Sequence, residues 1–303
     1  MNNYYENLLS QYVPNKVVVP DSILELKDAR LRITEVPANS DKGILIIPGF
    51  TVPRESYFTL LPEFLDFNIL IYDPRGHSNS EGEISASAYI NDINEIGRRF
   101  KSRHNLKFLI GLSHSMGSLC LLAASCRQDH PFDKRIALAP VIKADLVMPN
   151  LPNNFVSVLF AYIYNFHRKL TQRAFSDEIV LHHQHSNLYD FIKDPSIVAL
   201  KLKEFKKLNG AKEFPFLTEL VHCIPDKTYV IFAGDDQRLG IRNNKLEGVY
   251  ATFAEKAIAH KIRIEVLADL SHRFNRQPET QFRFSYNNTL LIKMIRKIID
   301  KEA

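Results

Sequence analysis

Six short apolar runs recur along the chain and constrain its fold more than any other feature. They are GILIIPG (43 to 49), NILIYD (68 to 73), KFLIGLS (107 to 113), RIALAP (135 to 140), TYVIFAG (228 to 234) and RIEVLAD (263 to 269). Continuous apolar runs of this length fit strands covered on both faces, as in a parallel sheet with helices on each side. KVVVP (16 to 20) and the pair LELK and LRITEV, turning at Asp28-Ala29, predict an antiparallel start. Helical patterns fill the gaps. SASAYINDINEIGRRFKSRH (85 to 104) brings Ala88, Ile93, Ile96 and Phe100 near one face, and MGSLCLLAASC, EGVYATFAEKAIAH (247 to 260) and NTLLIKMIRKIID follow. Strand-helix alternation of this kind predicts an open α/β sheet.

One interval breaks the rhythm. From about Val141 to His222 the pattern is helical and loop-like without a convincing strand. The expected organisation is a core of residues 1–140 and 223–303, with an insertion at 141–222. Within that insertion NFVSVLFAYIYNFHRKL (154 to 170) is apolar nearly all round. Phe155, Leu159, Phe160 and Ile163 there are candidates for packing on the core.

Composition bounds the partners. The 303 residues are 45% hydrophobic and 24% charged with a net charge of +5, and no Lys/Arg run suggests a nucleic-acid groove. Cys120, Cys126 and Cys223 show no CxxC pair and no ligand spacing, so they read as reduced thiols in a cytosol-like compartment. The N-terminus lacks a basic n-region and a continuous apolar h-region, and no apolar stretch of about 18 residues occurs. A cytoplasmic location is the expectation.

The stretch GLSHSMGSL (111 to 119) carries two serines in small-x-Ser-x-small frames. A sharp strand-to-helix turn needs that frame, because small neighbours let strand and helix approach while one hydroxyl is lifted clear of the backbone. KFLIGL is the strand and the helical stripe starts at Met116, so the turn residue is Ser115; Ser113 would lie in the strand's last pleat. A serine hydroxyl is a poor nucleophile without a base and an orienting acid. In an open α/β sheet these belong at the carboxyl ends of strands. Asp235 and Asp236 follow TYVIFAG, and His272 follows RIEVLAD. Ser, Asp, His is the chain order expected when this elbow carries a triad. His182, His183 and His185 cluster without a carboxylate at ligand spacing, so no metal is expected. The acid is open between Asp235 and Asp236, with Asp145 a more distant alternative. For the oxyanion, the Met116 amide comes with the elbow and the Phe50 amide is the candidate second donor, after the turn at Gly49.

Four segments, IIPGF, YDPRGHSNSEGE, SHSMGS and the pair AGDDQRLG with ADLSHRF, resemble the α/β-hydrolases, most closely the monoacylglycerol lipase and lysophospholipase-like serine hydrolases. The resemblance implies Ser115 as nucleophile and His272 as base, and favours Asp236, because AGDDQR reproduces the family's Ala-Gly-x-Asp pattern. It departs at Ser113 where the family usually has Gly, at Pro48-Gly49 for a His-Gly pair, and at Ser78 for a second glycine; no departure removes a reacting group. Asp73, Arg75 and His77 are expected to hold the loop beside the elbow. The resemblance implies an α/β-hydrolase fold, mostly parallel sheet flanked by helices, with residues 141–222 as a helical cap whose Phe155, Leu159, Phe160 and Ile163 would wall an acyl chain, and a serine esterase that needs no cofactor. Its substrate would be a small-molecule acyl ester of acylglycerol or lysophospholipid type, met in transient contact with a membrane surface, with no nucleic-acid partner. A thioesterase, acyltransferase or peptidase on the same triad, or a non-catalytic binding protein, are the alternatives.

Overall fold

The computed structural model describes residues 22–49, 52, 54–77, 80–83, 85–144, 214–236, 239–272, 274 and 289–301. The KVVVP run, Phe50, Asp145, the three clustered histidines and the cap candidates Phe155, Leu159, Phe160 and Ile163 lie outside the described residues.

Strand β1 (Ser22–Glu25) and β2 (Arg30–Val36) form the expected hairpin, Glu25 facing Arg30. The six apolar runs become β3 (Lys42–Ile47), β4 (Asn68–Tyr72), β5 (Phe108–His114), β6 (Lys134–Leu138), β7 (Thr228–Ala233) and β8 (Arg263–Leu267). They join one eight-stranded sheet in the order β1-β2-β4-β3-β5-β6-β7-β8. Strands β3 to β8 pair in parallel, and β2 runs antiparallel to β4. Burial follows position: β4, β6 and β7 are buried at every residue, whereas β8, at the sheet's edge, is covered mainly at Leu267. For β8 the expectation of cover on both faces does not hold: Arg263 and Glu265 are exposed, and Ile264 and Val266 are half-buried.

Helix α1 (Ala86–Arg103) is opened by Ser85, whose hydroxyl accepts the Ala88 amide. It buries Ala86, Tyr89, Ile93, Ile96 and Phe100, a spacing close to 3.6 residues. Tyr89 takes the core-facing place expected of Ala88, which is only half-buried. The helix ends in a Schellman turn: Asn105 adopts φ 52°, and the Leu106 amide reaches back to Lys101 O at 2.9 Å. Helix α2 (Met116–Ser125) is buried at all ten positions, not along one stripe. Helix α3 (Val249–Ala259) precedes β8 and helix α4 (Thr289–Asp300) closes the described chain.

Two further features depart from the sequence reading. Arg54–Phe64 forms a 3-10 stretch beyond β3, carrying the buried Tyr57 and Phe58. The reading of three reduced thiols is corrected: Cys126 and Cys223 form a disulfide, and Cys120 is free and buried. Cys126 caps α2 and Cys223 ends the segment that leads back to β7, so the fold joins thiols 97 residues apart. The compartment inferred from free thiols loses that ground. Among the described residues no helix is long and apolar enough to cross a membrane.

Candidate active site

The chain crosses the sheet outward from β3 to β4 and then returns to β5 on the other side of β3, so the order reverses between β3 and β5. A crevice opens at the carboxyl ends of the strands flanking such a reversal. Ser115 stands there, between β5 and α2, with φ 56° and ψ −121°. Side-chain-bearing residues rarely adopt this backbone, which costs on the order of 1–3 kcal/mol and persists only where surrounding structure imposes it. Here the Ser115 amide donates to Leu138 O at 2.8 Å, while the Ser115 carbonyl accepts the amides of Ser118 and Val141. Gly117 lets the first turn of α2 rest on the end of β3, since a β-carbon there would meet the Pro48 carbonyl oxygen at 2.3 Å.

Ser113 is occupied otherwise. Its hydroxyl donates to Ser118 Oγ at 3.0 Å inside the sheet-helix interface, and it is buried. The two serines of the frame therefore separate into one turned outward under backbone strain and one tied inward.

Three side chains from three strand ends meet. His272 Nε2 lies 3.0 Å from Ser115 Oγ, and His272 Nδ1 lies 2.7 Å from Asp236 Oδ2. The Asp236 carboxylate accepts, so Nδ1 carries the proton and donates; Nε2 is then the acceptor for the serine hydroxyl. Asp236 is fully buried, and the Leu239 amide donates to its second oxygen at 3.0 Å. Asp235 is exposed, with its amide spent on Leu270 O. Burial of the carboxylate-imidazole pair in low dielectric strengthens its hydrogen bond and fixes the ring.

The loops that carry Asp236 and His272 are clasped by Asn244, a residue that no motif or spacing singles out. Its Oδ1 accepts the Asp269 amide at 2.8 Å, its Nδ2 donates to Asp269 Oδ1 at 3.1 Å, and its own amide donates to Gly234 O at 2.8 Å. Gly234 must lack a side chain because a β-carbon there would stand 2.0 Å from Asn244 Oδ1.

Met116 is the first residue of α2, where backbone amides lack intrahelical partners and the helix dipole favours negative charge. Its proposed companion, Phe50, is outside the described residues, but Gly49 packs against the elbow: a β-carbon there would be 3.2 Å from Ser115 Cβ. The YDPRGH segment lies to one side. Asp73 pairs with Arg54 at 2.6 Å and Arg75 pairs with Asp92 at 2.6 Å, all buried, while His77 Nδ1 meets Tyr89 Oη at 3.0 Å. Burial pushes the carboxyls of Asp73 and Asp92 up, against the pull of their arginines. The ring of His114, the residue before Ser115, packs beside that of His272, centroids 4.9 Å apart.

The sequence profile of the family described as serine aminopeptidase, S33 (Hydrolase_4) matches residues 38–277. No curated protein matches the chain significantly. Among solved structures, an esterase from Pyrococcus furiosus is similar at TM-score 0.62 and 15% identity, covering 99% of this chain and 94% of that one. A bacterial membrane phospholipase A is similar at TM-score 0.63 and 10% identity, over 98% of this chain and 92% of that one. A carboxyl esterase from Bacillus coagulans is similar at TM-score 0.58 and 14% identity, over 92% and 99%. At these identities the likeness speaks for the fold, and the family match spans β3 to β8 together with Ser115, Asp236 and His272. The chain belongs to the serine aminopeptidase S33 family of α/β-hydrolases.

Proposed function

We propose that this hydrolase cleaves carboxylic esters through an acyl-enzyme on Ser115. The observation that carries the reading is the hydrogen-bonded series Ser115 Oγ, His272 and Asp236, at 3.0 and 2.7 Å, on a serine held in a strained elbow. As Ser115 Oγ bonds to the ester carbonyl carbon, His272 Nε2 takes its proton and Asp236 stabilises the resulting imidazolium. The Met116 and Phe50 amides receive the oxyanion. The imidazolium then protonates the leaving alkoxide, and water, deprotonated by the same ring, releases the acid.

The substrate class is an acylglycerol or a lysophospholipid, met in transient contact with a membrane surface. This rests on the sequence resemblance and on the apolar run from Phe155 through Leu159, Phe160 and Ile163, proposed as an acyl wall in a cap of residues 141–222. A fluorophosphonate probe followed by a panel of p-nitrophenyl esters tests the reading. Labelling at Ser115 is expected, with kcat/KM rising up to about fourfold per methylene until the slot is full. Phe160→Asp should depress long-chain esters and spare acetate. Best turnover on acetyl esters in the unmodified chain would overturn the lipid-like substrate. Because the matching family's description names an aminopeptidase, amide hydrolysis is the second reading; higher kcat/KM on aminoacyl anilides than on any ester would favour it.

A further inference from the structure

We propose that His114 is a positioning residue for the base: as its neutral Nε2–H tautomer it holds the His272 main chain to the elbow and ties both to the turn after β3. The inference rests on the triad reading above. Its geometry is a directional series. His114 Nε2 lies 3.0 Å from the His272 carbonyl oxygen. A carbonyl can only accept, so Nε2 carries a proton and donates. Nδ1 lies 3.2 Å from Tyr57 Oη, and in the neutral ring it is the acceptor for the phenol proton. Tyr57 Oη in turn accepts the Gly49 amide at 2.9 Å. Every donor in the series, from Gly49 N–H through Tyr57 O–H to His114 Nε2–H, points the same way and ends on the residue that must move protons.

All of these side chains are buried. His114 ends β5 and His272 follows β8, strands separated by β6 and β7, so the hydrogen bond spans the site across the sheet. The ring-ring approach of 4.9 Å gives the neutral tautomer a second purpose. His272 becomes an imidazolium during turnover, and a charged neighbour at that distance would oppose it. Asp236 fixes the orientation of the His272 ring, whereas His114 fixes the backbone from which that ring hangs.

The test uses the full chain. In a long-range ¹H–¹⁵N spectrum at neutral pH, His114 should show the neutral Nε2–H pattern; a Nδ1–H pattern or an imidazolium overturns the proposal. This readout is independent of activity, so it stands even if fluorophosphonate labelling shows that Ser115 is no nucleophile. His114→Leu should lower kcat per titrated site on the order of 10²-fold, as displacement of a catalytic group by about 1 Å does, with KM within about twofold. His114→Gln, whose amide can reach the same carbonyl, should recover most of that loss. Tyr57→Phe should lower kcat less, and should add little to His114→Leu, because the two act in one series. Packing alone predicts lowered Tm with kcat per titrated site unchanged, and equal kcat for the leucine and glutamine variants overturns the proposal.

Discussion

A β-carbon on Gly117 would stand 2.3 Å from the carbonyl oxygen of Pro48 and 2.7 Å from that of Ile47. Both obstacles are main chain, so relief requires the helix or the strand end to move. Gly117→Ala should therefore cost about 1–3 kcal/mol, as overpacking of a tight interface does, and lower Tm by several degrees. The same shift would carry Ser115 and the Met116 amide with it, slowing fluorophosphonate labelling. Thermal denaturation and labelling rates check both effects; unchanged values in both would mean that the contact relaxes without cost.

The strained φ of 56° at Ser115 separates two substitutions that remove the same hydroxyl. Ser115→Ala and Ser115→Gly should each lose turnover on the order of 10⁴ to 10⁶-fold. Only glycine adopts this backbone freely, so Ser115→Gly should be the more stable of the two by about 1 kcal/mol. Ser113→Ala should retain most activity and lose about 1 kcal/mol with its hydrogen bond to Ser118. A dead Ser113→Ala beside an active Ser115→Ala would sink the assignment of the elbow.

What could be read beforehand follows from where each signal lies. The strands from β3 to β7 were legible because burial makes their residues apolar in one continuous run, and α1 because its buried residues recur at helical spacing. The elbow was legible for the same reason, strand pattern on one side and helix pattern on the other. Arg54–Phe64 was not, since Pro62 and a mixed sequence give neither period. Asn244, Tyr57 and His114 act through contacts with residues remote in sequence, and His114 Nε2 reaches a carbonyl 158 residues away. Only its adjacency to Ser115 could have drawn attention to it. The disulfide failed to show for the same reason: Cys126 and Cys223 have no spacing signature, and only the return of the chain to β7 brings them together.

Asp235 and Asp236 are adjacent in sequence, but only Asp236 is buried against His272. Asp236→Asn keeps the shape and loses the acceptor that fixes the ring's tautomer, so kcat should fall on the order of 10⁴-fold. Asp235→Asn should leave kcat within a few-fold. Steady-state kinetics on one ester decides this, and equal, mild effects would move the acid to another residue.

The three cysteines allow a thiol count that tests the Cys126–Cys223 bond directly. Burial pushes the Cys120 thiol up to about 12. At pH 8 its thiolate fraction would be on the order of 10⁻⁴, so iodoacetamide should leave the native chain unlabelled. Unfolding in denaturant alone should release one reactive thiol, and unfolding with reductant three. The bond closes a loop 97 residues apart in sequence and so restrains the unfolded chain. Reduction, or the pair Cys126→Ser and Cys223→Ser, should lower stability by about 2–5 kcal/mol. The disulfide also anchors α2, the helix that begins at the elbow, to the segment leading into β7, the strand that Asp236 follows. Turnover in the reduced chain should therefore decline at a lower temperature than in the oxidised one. Three reactive thiols in denaturant alone, with the same melting temperature with and without reductant, would exclude the bond.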